Sequence, residues 1–584
     1  MNHKNSKLLV GLLLLFVFLS SSVIAQKNVT GRVINKATND PVQGASVGVK
    51  GTKTGTSTNQ EGLFNLQVPS NASVLVISSV GFETTEFPIA GKTALGDILL
   101  NIQSGSLNEI VVTGYTSQLK KDITGSVSVI NVDEMTKQPT AQLANQLQGQ
   151  ASGVTVLSSG QPGEEPQIRI RGINTFGNNT PLFIIDGVPT QNISTINPND
   201  VASVQVLKDA GAASIYGSRA SNGVIIVTTK KGRGKVQVTY DGYYGTQQPK
   251  SGNIWNILSP QDMAQLKFNA LANSGTPVTS ATPDALYGGG SKPVLPDYIN
   301  PTGAKEGDAS VDPSRYNVNP DYTTGNQLSA FYRIVKANKE GTDWYHAVNK
   351  PAPIQNHDVT VSGGGDQGKY FLSMQYFNQE GSVIYTYLKR YTMRVNTEFN
   401  LSKRIRIGEN LAYSVTDNNR ITPGEGSFLG MAFREQPLIP VRDIMGNFAG
   451  TFGGQLGNAQ NPVANAYRTR NNSGLNNRLF ANVYGEADIF PDLTFRTSFG
   501  GESYAGTYHS FQYPTYENVE NSSKNQYNES SYYGYNWTWT NTLNYRKTFG
   551  DHTLSLLAGV ESYDNNYREM GGSTADYFSF NPDY

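Results

Sequence analysis

From Lys235 onward the chain is a succession of segments, each roughly 10 to 15 residues long, in which apolar and polar side chains alternate strictly. In YTMRVNTEFN, Tyr391, Met393, Val395, Thr397 and Phe399 share one face, and Thr392, Arg394, Asn396, Glu398 and Asn400 share the other. In RIRIGENLAYSVT, Ile405, Ile407, Leu411, Tyr413 and Val415 oppose Arg404, Arg406, Asn410 and Ser414. YNWTWTNTLNY gathers Tyr535, Trp537, Trp539, Leu543 and Tyr545 on one side. A period of two is the signature of a β-strand with unlike faces. In a soluble sandwich the apolar face is the core; in an outer-membrane barrel it meets lipid. The connections separate these cases. About nine strands are expected, near 235–248, 356–363, 368–379, 388–400, 404–417, 476–488, 492–505, 533–547 and 551–566. Four connections are tight: GGDQ, LSK, FPDL and FGD. Those between them run to about 107, 8, 58 and 27 residues, the short-turn and long-loop asymmetry of an outer-membrane barrel. A soluble sandwich has no reason to sort its loops by parity.

The rest of the 584-residue chain fits an exported β protein. Lys4 and Lys7 precede the apolar run LLVGLLLLFVFL, and Val23 and Ala25 stand at the −3 and −1 positions of a cut before Gln26. The run is too short to span a bilayer and ends in small residues, so residues 1–25 read as a signal peptide. Forty-six basic residues balance 46 acidic ones, which gives no reason to expect a nucleic-acid partner. The absence of cysteine excludes disulfides, Cys–zinc sites and thiol catalysis.

Residues 26–104 read as a small β-sandwich. VTGRVI, ASVGVK, GLFNLQV and SVLVISSV alternate, with turn residues between them. Gly44-Ala45-Ser46-Val47-Gly48 fits G-x-S-x-G, but a nucleophile elbow needs a helix after it, and VKGTKTGT is turn-rich. Residues 119–232 mix the two periods: PTAQLANQLQGQ reads as a helix, GVTVLS and PQIRIRG as strands, and PLFIIDGVP as a buried strand entering an Asp-Gly turn. The stretch from NPNDVASVQVLKD to GVIIVTTKKG alternates short helices with strands, giving a compact α+β domain. Between these two domains, in a linker over 105–118, lies LNEIVVTGY, a short β-branched strand with no partner strand expected close in sequence.

This order, together with the motifs IRIRGINTFGNNTPLFIIDGVP, INPNDVASVQVLKDAGAASIYGSRASNGVIIVTTKKG and YFLSMQYFNQEGSV, resembles the SusC/RagA family of TonB-dependent outer-membrane transporters over the whole chain. The resemblance implies a mainly β fold: a carboxypeptidase-regulatory-like β-sandwich, an α+β plug, and over 233–584 part of a 22-stranded antiparallel transmembrane β-barrel. With about nine strands, an odd number, and an end in ADYFSFNPDY that reads as loop, the sequence is expected to be cut off inside that barrel.

The resemblance further implies active import of a bulky nutrient, an oligosaccharide or peptide, across the outer membrane. The partners would be TonB with ExbB and ExbD on the periplasmic side, a SusD-like surface lipoprotein outside, and outer-membrane lipid around the barrel; no cofactor is implied. Asn108, Glu109, Ile110, Val111, Val112, Thr113, Gly114 and Tyr115 are expected to be the TonB box, adding as an edge strand to the partner's sheet. Arg169 and Arg171 alternate with Ile168 and Ile170 and are expected to clasp carboxylates of the barrel wall. Two alternatives stand beside import. A signalling receptor would sense ligand without transporting it, and usually carries a different periplasmic domain. A secreted enzyme with a regulatory sandwich would need a catalytic site, and His3, His346, His357, His509 and His552 form neither H-E-x-x-H nor H-x-x-E.

Overall fold

The computed structural model describes residues 26–576 except 37–38, 53, 71–72, 80–81, 90, 102–109, 114–115, 120–124, 141, 191, 317–332, 420–425, 454 and 551. The expected signal peptide lies outside the described residues. Two compact units divide the chain within residues 111–125.

The first unit is a sandwich. One sheet places Gln26–Asn35 between Leu63–Pro69 and Ala94–Leu100; the other runs Gly55–Ser57, Ser46–Val49, Val74–Ser78, Thr85–Pro88. Alternate residues point inward, so Val29, Val33, Val47, Leu66, Val68, Leu75 and Ile77 fill one core. Ser46 opens a strand, and no elbow follows it.

The linker segment differs from its expectation. Ile110–Thr113 pairs with Thr116–Leu119 in a two-stranded sheet. The strand therefore has a neighbour close in sequence. The connection of two residues, beginning with Gly114, is the length of a tight hairpin; TSQL lacks the β-branched run that marks Ile110–Thr113 as a strand.

The second unit holds the α+β domain and the large sheet. The α+β domain is built on a five-stranded sheet in the order Val127–Ile130, Val201–Leu207, Val224–Thr229, Leu182–Ile185, Val188–Thr190. Its central strands are apolar on both faces, and Val201, Val204, Val206, Ile225 and Val227 lie in its core. Only Leu143–Gln146 of PTAQLANQLQGQ is helical. Asp186 and Gly187, both at positive φ (48° and 90°), make the two-residue turn that joins Leu182–Ile185 to Val188–Thr190.

All nine expected barrel strands form one antiparallel sheet, each pairing with its neighbour in sequence: Gly234–Gln247, Ala352–Gly364, Gly368–Glu380, Tyr387–Asn400, Ile405–Asn419, Ser473–Phe490, Leu493–Gln512, Gln526–Phe549 and His552–Ala575. The long connections carry structure of their own, including the helix Pro260–Asn273, whose N-terminus is capped by Ser259. The faces are inverted relative to a soluble protein. Tyr391, Met393, Val483, Phe499, Trp539 and Leu543 are exposed, while Arg390, Arg394, Asn396, Asn410 and Asn482 are buried. Phe499 pairs with Val483 on one side and Trp539 on the other, in the middle of an apolar band. We expect Phe499→Arg to cost about 2–4 kcal/mol of folding free energy in a bilayer. Phe499→Ala should cost much less, as measured by reversible urea unfolding in lipid vesicles.

Candidate functional site: the contact between plug and barrel wall

The polar face of the sheet is buried because the α+β domain packs on it. Its anchor is Arg394, in the strand Tyr387–Asn400 and 2% exposed. Its Nε donates to Asp200 Oδ2 at 3.1 Å, and NH1 lies 3.9 Å from Asp186 Oδ2. Both acids come from turns. Asn197 accepts from the N–H of Asn199 and donates to Asp200 Oδ1, which fixes the NPND corner. Asp186 sits in the Asp-Gly turn, where its carboxylate accepts from the backbone N–H and hydroxyl of Thr229 at 2.9 and 2.7 Å. Burial pushes the Asp200 carboxyl above its ordinary range, and Arg394 is the chief opposing influence.

Around this pair the wall reads the domain's backbone and amides. Asn396 donates to Thr229 Oγ1 and to the Lys230 carbonyl, both at 2.8 Å. Gln375 donates to Asn197 Oδ1 at 2.9 Å, Arg390 to the Ser194 carbonyl at 2.6 Å, and Asn482 to the Asp186 carbonyl at 3.0 Å. Where Asn482 grips the Asp-Gly turn, the neighbouring strand approaches so closely that a Cβ on Gly500 would lie 2.6 Å from Val188 Cγ2; only glycine fits. Nearer the tight turns, Lys231 donates to Glu398 Oε2 at 2.8 Å and to the Tyr484 hydroxyl at 2.7 Å. Burial alone would lower the Lys231 pKa, but Tyr484 and Glu398 outweigh it and hold it raised. Arg219 pairs with Glu561 further along the sheet. A domain with its own apolar core is thus held to a polar wall by ion pairs and hydrogen bonds.

This is the arrangement of a cork in a pore, and the comparisons agree. Residues 119–224 match the TonB-dependent Receptor Plug Domain, and residues 29–112 match the CarboxypepD_reg-like domain. The chain is 30% identical to TonB-dependent receptor P26 of Formosa agariphila over 97% of its own length and 52% of that protein. It is 29% identical to TonB-dependent receptor SusC of Bacteroides thetaiotaomicron, over 95% of this chain and 52% of SusC. Its structure aligns with that of the RagAB peptide importer in the open-open state at TM-score 0.63 and 25% identity, over 80% of this chain and 50% of that one. The chain belongs to the SusC/RagA family of TonB-dependent receptors.

It spans about half the length of the curated relatives it matches. As in the family, the α+β domain is the plug and the nine-stranded sheet is outer-membrane barrel wall; the relatives it matches are TonB-dependent receptors. Among the described residues no helix is long and apolar enough to cross a membrane.

The clasp expected of Arg169 and Arg171 falls to other residues. Arg169 donates to Gln167 Oε1 within its own strand at 3.3 Å. Arg171 lies beyond that strand, exposed, at φ 58°, so the alternation that would put both on one face ends at Ile170. Among the described residues neither reaches a barrel carboxylate. The central pair runs the other way, with Arg394 on the wall and Asp200 and Asp186 on the plug, while another plug arginine, Arg219, clasps Glu561 of the wall. Of the residues expected to form the TonB box, Ile110, Val111, Val112 and Thr113 form the strand described above, and Asn108, Glu109, Gly114 and Tyr115 lie outside the described residues.

Removing one member of a buried ion pair strands the other, at a cost of about 3–5 kcal/mol, whereas replacing both by apolar groups can be nearly neutral. Asp200→Asn should therefore speed amide exchange across Val201–Leu207 and expose the plug to protease. Arg394→Met combined with Asp200→Leu should restore much of the protection. Exchange mass spectrometry on the unaltered protein, Asp200→Leu, Arg394→Met and the double variant measures the coupling directly.

Proposed function

We propose that the chain works in TonB-dependent import of a bulky nutrient, an oligosaccharide or a peptide, across the outer membrane. The observation that carries this reading is the chemistry of the contact between plug and wall. Apart from Phe480 of the wall, which packs into the plug core, the contacts described across it join polar or charged groups that water can solvate once the plug shifts. An apolar contact of the same size would resist withdrawal and leave greasy surface in a wet lumen. The outer membrane holds no nucleotide or ion gradient of its own, so concentrative uptake needs mechanical work from outside. In this reading TonB, energised by ExbB and ExbD, supplies it, and residues 1–25 direct export and are cut before Gln26.

The grip is assigned to Asn108–Tyr115. A two-stranded hairpin standing alone is marginal in water, so Ile110–Thr113 can exchange its partner Thr116–Leu119 for an edge of the TonB sheet. At the end of the sheet with the long connections, a cavity of about 210 Å³ is lined by Asn192, Ser194 and Thr195 of the plug and by Arg390, Asn418 and Tyr504 of the wall. Amides, hydroxyls and a ring suit a substrate rich in hydroxyl or amide groups. RagAB is a peptide importer by its description, which supports the peptide alternative; a SusD-like lipoprotein would capture either substrate.

Proline removes a backbone donor and fixes φ, while alanine leaves main-chain recognition intact. We expect Val111→Pro in the full-length protein to abolish uptake and spare surface binding of substrate. Val111→Ala should do little to either. Cells carrying the proline variant and taking up labelled substrate at the normal rate would refute the assignment.

A further inference from the structure

One side chain breaks the polar rule of the inner wall. On the strand Ser473–Phe490, between the inward-facing Arg478 and Asn482, stands Phe480. Its partners across the sheet are Ala412 and Glu502, which give a phenyl ring little apolar cover, yet it is 5% exposed. The cover comes from the plug. Among the described residues, Phe480 is the one wall residue counted with the buried members of the plug's main apolar core, and Ala412 packs against that cluster. Ile354, Phe377 and Leu388 also belong to the wall and are buried, but they keep to a cluster of their own. A local rule broken in this way marks a position under a separate demand.

The position of the ring suggests that demand. Phe480 lies in the same transverse row as Arg394, with Ala412 between them. Together with Ile185 and Ile196 of the plug it lines a cleft of about 10 Å³, room for about one water molecule. Ile185 immediately precedes Asp186 and Ile196 immediately precedes Asn197, so the apolar contact adjoins both of the turns that the wall holds by polar bonds. The segment Asn192–Ile196 faces two ways. Ile193 and Ile196 lie in the core with Phe480, whereas Asn192, Ser194 and Thr195 line the cavity of about 210 Å³ at the long-connection end.

Polar contacts exchange the plug for water when it lifts. The ring has no such exchange: it would enter a wet lumen and leave its volume empty in the plug core. Burial of a phenyl ring favours the seated state by about tenfold to a hundredfold. We propose that Phe480 is the seating peg of the plug, a positioning residue on the wall that keeps the plug down until it is pulled and fixes the floor of the cavity above it. Arg394 sets where the plug sits, and Phe480 sets how firmly. The inference rests on the reading that the plug is withdrawn during import.

A single cysteine can report the seat, because the chain has none of its own. Asn410 is 2% exposed and pairs with Asn396 and Asn482, both of which hold plug backbone. In the full-length protein in detergent micelles, Asn410→Cys should react with a water-soluble maleimide only when the plug lifts. Adding Phe480→Ala should speed labelling at least about tenfold, and adding Phe480→Leu, which keeps most of the apolar volume, less than about threefold. Amide exchange in the wall strands Leu493–Gln512 and Gln526–Phe549 should stay within about twofold, because their ladders do not involve the plug. Labelling unchanged by Phe480→Ala, a leucine variant that labels as fast as the alanine variant, or wall exchange that rises with labelling overturns the proposal. Should the alanine variant fail to fold, Phe480→Val replaces it and should label severalfold faster than Phe480→Leu; equal rates overturn the proposal. The readout needs neither TonB nor cargo, so a failure of the import reading shows in the Val111→Pro experiment and not in this one.

Discussion

A strand in hydrocarbon can satisfy its backbone only through its neighbours, and its outward side chains have only lipid to meet. Everything else in the second unit follows from that constraint. Because the apolar residues must face out, the polar residues of each strand are forced inward, and the inner wall carries Arg390, Arg394, Asn396, Asn410 and Asn482. Such a wall cannot be covered by an ordinary hydrophobic face. What covers it must supply matching polar groups, and the plug does so with two turns, NPND and the Asp-Gly hairpin, whose side chains and carbonyls are spare once each turn has closed.

The plug is therefore stabilised in two separable ways. Its own five-stranded sheet is apolar and keeps its fold together. Its attachment to the wall is largely polar and local, Phe480 of the wall being packed into the plug core, and most of the bonds described come from three strands, Gly368–Glu380, Tyr387–Asn400 and Ser473–Phe490. Buried ion pairs are weak evidence for net stability but strong determinants of register, since a single displaced partner leaves a bare charge. The Arg394 pair with Asp200 thus specifies where the plug sits more than how firmly it sits.

How much of this was legible in the sequence depended on the range of the physics involved. All nine strands were found because alternation is local and connection lengths alternate with it. Arg394 and Asn396 were already placed on the polar face by that reasoning, and Asp186 was already placed in a turn; what could not be read was that these two local features meet, because their contact spans some two hundred residues of chain. Arg169 and Arg171 misled because two arginines alternating with isoleucines look like one face of a strand, and a single residue at positive φ ended the strand between them. The pairing of Ile110–Thr113 was missed because Thr116–Leu119 is polar and short and carries no periodic signal.

The order of the plug sheet adds a last consequence. Val127–Ile130 is one of its two edge strands, paired within the sheet only with Val201–Leu207. It is also the plug strand nearest in sequence to the hairpin at 110–119. Just before it, the Ser126 N–H donates to Asp209 Oδ2 at 2.6 Å, and the same carboxylate accepts the Ala212 N–H at 3.0 Å, a pair of bonds that holds its pKa below the ordinary range. Along the chain from the linker, the Asp209 clasp and this edge strand therefore come before the apolar core strands and before the Arg394 pair with Asp200. Loss of this four-residue strand would leave the core strands Val201–Leu207, Val224–Thr229 and Leu182–Ile185 paired with one another. A partial opening of this kind would yield along one edge of the plug while the polar contacts still hold the remainder against the wall.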